Sequence, residues 1–254
     1  MKINQNFSNR YSRQISLPEI GLKGQKKLLA AKVLVIGAGG LGSPAAFYLA
    51  AAGIGTIGLV DNDLVELSNL QRQTLHTTAD LSRQKTVSAA EKLHALNPDT
   101  IVRKHNQRFT SLSGVQLVRE YDFIIDATDN FQSKFLIADI CHDVHKPYSH
   151  GGILKFLGQT MTVIPGKTAC YRCIFEQPPL EKDDSTPRGP LGAVPGVIGT
   201  IQATEAIKYI LGIGNLLTNR MLVYDALEMN FRVISTRQNM NCPLCSKTRQ
   251  EKTK

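Results

Sequence analysis

Hydrophobic periodicity along the chain switches repeatedly between two patterns. Lys32–Gly37, Thr56–Asp61 and Asp122–Ala127 are almost unbroken apolar runs. Such runs suit strands buried on both faces of a parallel sheet. Between and after them, helical spacing covers Pro44–Ala52, Ser82–Leu96, Thr110–Glu120 and Asn130–Val144, while Thr100–Lys104 and Pro147–Gly151 read as further strands. This alternation predicts an α/β fold, Rossmann-like and doubly wound, on a mainly parallel sheet. After about residue 155 the alternation stops. Leu157–Pro165, Arg220–Tyr224 and Asn230–Thr236 read as strands and Gly196–Leu211 as a helix. Glu176–Pro195 holds five prolines and reads as a long flexible loop. The pattern predicts one domain over 1–245, with a core near 30–155 and a β-rich C-terminal part near 156–245.

Composition narrows the class without changing this picture. The chain has 254 residues, 42% hydrophobic and 20% charged, which excludes wholesale disorder, collagen and coiled coil. No apolar stretch approaches the ~20 residues of a membrane span. The polar N-terminus shows no signal-peptide core, so a cytoplasmic location is expected. Thirty Lys and Arg against 21 Asp and Glu give a net charge of +9, which favours an anionic partner. Residues 246–254 (SKTRQEKTK) form a basic tail, expected to be disordered. The remaining charge is spread thinly, which argues against nucleic acid as the partner.

Two positions carry metal chemistry. Cys170-Tyr-Arg-Cys173 and Cys242-Pro-Leu-Cys245 are C-x₂-C pairs, and four thiolates from two tight turns suit tetrahedral zinc. A zinc ion there would staple two distant segments of the C-terminal part. Cys141 lies in an apolar helix and is expected in the core.

Gly37-Ala-Gly39-Gly40-Leu-Gly42 fits G-x-G-x-x-G between a strand and a helix, and Asp61 ends the next strand. Glycines admit phosphate to backbone N–H groups at a helix N-terminus, and an acid at that place can hold a ribose. The pattern reads as an adenine-nucleotide site without separating NAD from ATP. Asp126 and Asp129, at another strand end, could hold a hard cation such as Mg²⁺; Asp129 or Asn130 could equally cap the following helix. With Ser82 as an N-cap, Arg83 and Lys85 would stand in a first helical turn, where cations oppose the dipole and suit a nearby anion. Leu64, Leu67 and Leu70 at spacing three predict an anchored short helix. It would present Arg72 in a fixed place, within a dense polar cluster of Asp63, Asn69, Gln71, Arg72 and Gln73 just past Asp61.

These residues resemble the ThiF/MoeB/HesA family, bacterial relatives of ubiquitin-activating enzymes. The resemblance is carried by Arg10-Tyr-Ser-Arg13-Gln14, the glycine loop, Asp61-Asn-Asp63, Ser68–Gln73, Lys85, Asp126–Asn130, both cysteine pairs and the stretch Pro195–Glu205. It implies a homodimer that binds MgATP and adenylates the C-terminal glycine of a ubiquitin-like sulfur carrier protein. Asp61 would then hold the ribose, and Arg72 and Lys85 the phosphates. Asp129 would serve magnesium and the reacting carboxylate, and Arg13 would reach the partner subunit's site. A diglycine tail would pass beside Gly151 and Gly152. The loop cysteine of members that link covalently to their carrier is missing, since no cysteine lies between Cys173 and Cys242. Sulfur is expected from a separate donor protein. A relative acting on a peptide or a transfer RNA base is the rival expectation. A dehydrogenase would leave Arg13, Arg72, Lys85 and Asp129 without a task.

Overall fold

The computed structural model describes residues 5–177 and 189–246. Most of the expected proline-rich loop (178–188) and nearly all of the basic tail lie outside the described residues. Eight strands form one sheet in the order β3-β2-β1-β4-β5-β6-β7-β8. They are β1 (Lys32–Ile36), β2 (Thr56–Val60), β3 (Ile101–His105), β4 (Phe123–Asp126), β5 (Tyr148–Leu154), β6 (Leu157–Val163), β7 (Arg220–Asp225) and β8 (Asn230–Ser235). The first five run parallel, and β6, β7 and β8 continue antiparallel. The C-terminal part is therefore an extension of the same sheet.

Alternation along each strand divides the core into two layers. Val33 and Val35 of β1 and Phe123 and Ile125 of β4 face one layer. It is built with α3 (Gly21–Ala30), α4 (Gly42–Ala51), α5 (Lys85–Leu96) and α9 (Ala193–Leu211). Leu34, Ile36 and Ile124 face the other, with α6 (Ser111–Arg119), α7 (Phe131–Asp143) and the short α8 (Tyr171–Ile174). Cys141 is buried in that second layer, as expected.

Three local expectations are corrected. Helix α5 begins at Lys85, because Ser82 adopts a left-handed backbone (φ 63°) that cannot start a helix. Leu64 and Leu67 are exposed, so the short turn Leu67–Asn69 is not anchored by a leucine stripe. Polar contacts hold it instead, among them Asn69 to Glu66. Helix α9 starts at Ala193, three residues early, with Pro195 in its first turn where no backbone N–H is needed. Two short N-terminal helices, α1 (Gln5–Arg10) and α2 (Ser12–Ile15), went unseen in the pattern. Burial of Tyr11, whose hydroxyl accepts from Asn97 at 2.7 Å, holds them down.

Helices α4 and α9 pack tightly at Gly199. A Cβ on Gly199 would stand 2.3 Å from the Leu41 carbonyl and 2.7 Å from Pro44. Helix propensity alone favours alanine over glycine by ~1 kcal/mol. Gly199→Ala is nevertheless expected to destabilise by about 1–3 kcal/mol through overpacking, measured by urea unfolding. A wild-type midpoint would show that the two helices part freely.

Candidate nucleotide site and cysteine cluster

The glycine loop leaves β1 at the point where the chain's order across the sheet reverses, between β1 and β4. Ligands of open α/β sheets sit outside the strand ends at such a point. Gly37 has φ 99° and packs against the Ala127 carbonyl, where a Cβ would be 2.7 Å away. Gly42 closes the loop over the Gly37 carbonyl, which a Cβ would meet at 1.9 Å. Only glycine fits either place. Gly39 lies against the Gln73 amide and Gly40 against Arg72 and Pro195.

The loop is braced from β2. Asp61 Oδ2 accepts from the Ala38 N–H at 2.8 Å, and Oδ1 accepts from Asp63 N–H at 2.8 Å. Buried His76 bridges Ala38 O (3.1 Å) and Ser88 Oγ (2.9 Å). Burial lowers its pKa more than the bond to Ala38 raises it. The neutral ring therefore donates Nε2–H to the carbonyl and accepts at Nδ1. His76 is a brace that the sequence pattern does not single out; only the apolar Leu75 before it hints at burial.

Asp61, Asp63, Asn69, Arg72, Gln73 and Lys85 gather on this side of the loop. Lys85, 5% exposed, pairs with Asp63 at 2.8 Å and stands at the N-terminus of α5. Arg72 is held by Asn69 Oδ1 at 2.8 Å and the Ser68 carbonyl at 3.2 Å. Arg83 is not free for an anion, since it pairs with Asp80 and Glu91. Buried Gln73 Oε1 and Ser43 Oγ have no partner among the described residues. Unsatisfied polar atoms beside a glycine-rich loop fit a nucleotide.

Asp129 and Asn130 follow β4 next to Gly37. Asn130 caps α7, accepting from Ser133 N–H at 2.9 Å, and Asp129 is exposed. A single exposed carboxylate suits Mg²⁺, which keeps several waters. Asp126 is buried and committed elsewhere. It accepts from Thr128 Oγ1 at 2.6 Å and His150 Nδ1 at 3.0 Å, and faces Lys134 Nζ at 3.4 Å. Burial raises its pKa, but the Lys134 cation and these hydrogen bonds outweigh that and bring it down to about 2. The paired-carboxylate cation site is thus reduced to Asp129. Lys134 and His150 were not singled out as site residues from sequence. A lysine in the first turn of α7 was the available signal.

One expected residue lies elsewhere, and one expected space is narrowed. Arg13, exposed on α2, is next to Gln14, which donates to the Ala52 carbonyl at 3.0 Å. That is the far end of α4 from the glycine loop, about 15 Å along the helix. The room expected beside Gly151 and Gly152 is partly filled. Gln202 would be 2.7 Å from a Gly151 Cβ, and Gln159 3.2 Å from one on Gly152.

The four paired cysteines converge, with every sulfur within 4.8 Å of the others. Cys170 lies 3.7 Å from Cys173 and 3.5 Å from Cys242, and Cys173 3.6 Å from Cys245. None forms a disulfide. Zn–S bonds of about 2.3 Å at tetrahedral angles imply S···S near 3.8 Å, so the cluster could hold a metal of that kind.

Residues 11–244 match the ThiF family. The chain belongs to this family. It is 44% identical over 239 residues to the SAMP-activating enzyme E1 of Haloferax volcanii, covering 93% of this chain and 88% of that protein. It is 42% identical over 244 residues to the sulfur carrier protein adenylyltransferase of Thermus thermophilus, covering 93% and 90%. Among solved structures, E. coli MccB with AMPCPP and MccA superposes with a TM-score of 0.83 at 26% identity, covering 94% of this chain and 75% of that one.

The buried charges give a pH prediction for this ThiF-family chain. Asp126→Asn strands the Lys134 cation and is expected to cost about 3–5 kcal/mol at neutral pH. The unfolded chain takes up a proton at Asp126 near pH 4, the folded chain only near 2. The stability that Asp126 contributes is complete above about pH 4 and is lost as pH falls towards about 2. Urea unfolding of both proteins across this window should show the gap closing; a constant gap would contradict the ion pair.

Proposed function

We propose that the chain is an ATP-dependent adenylyltransferase acting on a small ubiquitin-like sulfur carrier protein. The carrier's C-terminal glycine carboxylate attacks the α-phosphorus of ATP, the bond to the β-phosphate breaks, and pyrophosphate leaves with the acyl-adenylate formed. The observation that carries this reading is the near-full-length likeness to the Thermus sulfur carrier protein adenylyltransferase, in a chain whose glycine loop, Asp61, Arg72 and Lys85 gather at one sheet end. The pathway is of the molybdopterin or thiamine type, and sulfur comes from a separate donor. No helix among the described residues is long and apolar enough to cross a membrane, in keeping with work in the cytoplasm.

Displacement at phosphorus asks mainly for positioning and charge neutralisation. Asp61 holds the ribose while bracing the loop. Lys85 and Arg72 neutralise phosphate charge, Lys85 exchanging Asp63 for phosphate oxygen. Asp129 orients the magnesium ion, which supplies Lewis-acid neutralisation when bound. Arg13 serves the other subunit of a homodimer. Its position at the far end of α4 supports action in trans, and a guanidinium fork suits phosphate. The four cysteines hold a structural zinc ion, closed to substrate.

Asp129→Ala and Arg13→Ala are each expected to lower carrier-dependent ATP–pyrophosphate exchange by at least about 100-fold. Mixing the two variants should restore part of the rate after subunit exchange, because one site of each mixed dimer then holds both residues. Exchange at the wild-type rate in Asp129→Ala would reject its role. No recovery on mixing would reject action of Arg13 in trans.

Metal analysis should find one zinc per chain in the wild type. Cys170→Ser should lose it and melt at a lower temperature. A metal-free wild type of unchanged melting temperature would reject the zinc site.

A further inference from the structure

Lys134 has no part in the chemistry above, yet its surroundings are unusually specific. It stands in the first turn of α7, where a cation opposes the helix dipole, and only 7% of it is exposed. Its ammonium has three hydrogens to give. One reaches the Thr128 carbonyl at 2.6 Å, one the Gly151 carbonyl at 2.5 Å, and the third faces both oxygens of Asp126 at 3.4 Å. Asp126 in turn accepts from the Thr128 N–H at 3.1 Å and its hydroxyl at 2.6 Å. Thr128 is thus held at its N–H, hydroxyl and carbonyl by one buried ion pair.

The same strand end is held from the opposite face of the sheet. Gln202 of α9 donates to the carbonyls of Asp126 at 2.9 Å and Ser149 at 3.1 Å. Asn130 closes the far side as the cap of α7. Asp129 therefore lies between two pinned neighbours, with its carboxylate in solvent. An apolar residue can often replace a buried ion pair at little loss. It cannot bind two carbonyls, one in the Asp129 loop and one in β5.

We propose, resting on the role given to Asp129 above, that Lys134 is a positioning residue: through the Thr128 carbonyl it fixes where the Asp129 carboxylate stands. The pinned loop delivers that carboxylate ready-placed, so that little ordering is left to magnesium or to substrate. Lys134 itself touches neither.

Lys134→Met alone would strand a buried carboxylate, so it is combined with Asp126→Asn, which removes both charges together. Two readouts apply to the full chain. One is carrier-dependent pyrophosphate exchange across a magnesium range. The other is hydrogen exchange of residues 127–131 with neither nucleotide nor magnesium present. The double variant should lose about 100-fold in kcat, and its half-saturating Mg²⁺ concentration should rise about tenfold, while KM for ATP holds. The 127–131 amides should exchange faster. Lys134→Arg, which keeps the charge and the donors, should restore both the magnesium dependence and the slow amides. Wild-type magnesium dependence and wild-type protection in the double variant would overturn the proposal. If the Met–Asn pair does not melt cooperatively, Lys134→Gln with Asp126→Asn takes its place and the same readouts decide. Should Asp129→Ala exchange pyrophosphate at the wild-type rate, the role of Asp129 falls. Amide protection then decides by itself whether Lys134 orders the loop.

Discussion

Everything at the nucleotide end depends on how closely β1 and β4 let their following loops approach. The backbone at Gly37 lies against the Ala127 carbonyl, and Gly42 folds back on Gly37, with no space for a side chain at either residue. That contact fixes the start of α4 relative to the Asp129 loop. Once it is made, the other braces have defined targets: Asp61 reaches Ala38, His76 reaches the same residue from α5's side, and Pro195 of α9 packs on Gly40. A methyl group at Gly42 would displace all of them together, because protein interiors do not yield locally without moving their neighbours.

Charge is distributed with equal economy. The excess of +9 could suggest a diffuse basic surface, yet the cations near the loop are individually held. Arg83 and Lys92 share Asp80, Lys85 has Asp63, and Lys134 has Asp126. Of these acids, Asp80 and Asp126 are buried and Asp63 is exposed. Buried pairs are structural, since separating them leaves an uncompensated charge. The Lys85–Asp63 pair, open to water on its acidic side, is the one that an incoming anion can divide at small loss.

The parallel half of the fold was legible because β1, β2 and β4 are buried on both faces and its helices keep a clear apolar face. Boundaries failed where backbone conformation overrode composition. Ser82 looks like a helix cap but is left-handed, and the leucines at 64, 67 and 70 have helical spacing although 64 and 67 have no surface to bury against. The glycine loop, Asp61 and the four cysteines were readable because each demands a rare residue type at fixed spacing. The partnership of Asp126 with Lys134 and His150 was not, because it joins β4, α7 and β5 and no local spacing signals it. Their neighbour Tyr171 packs its ring at a tilt against His150, centroids 4.6 Å apart, which ties the cysteine cluster to the same interior, and that too is invisible along the chain.

The continuity of the sheet has a geometric consequence. Neighbouring strands rotate by roughly 20–25° on average, so seven steps from β3 to β8 would turn the strand direction through about 150°. A straight helix cannot follow such a propeller. Helix α9 lies along β4, β5 and β6, and β8 stands two strands beyond β6 in the sheet order. Every residue of β8 is accordingly exposed, Phe231, Val233 and Ile234 included. The bare outer strand is what a long twisted ribbon leaves uncovered once a straight helix has run its length.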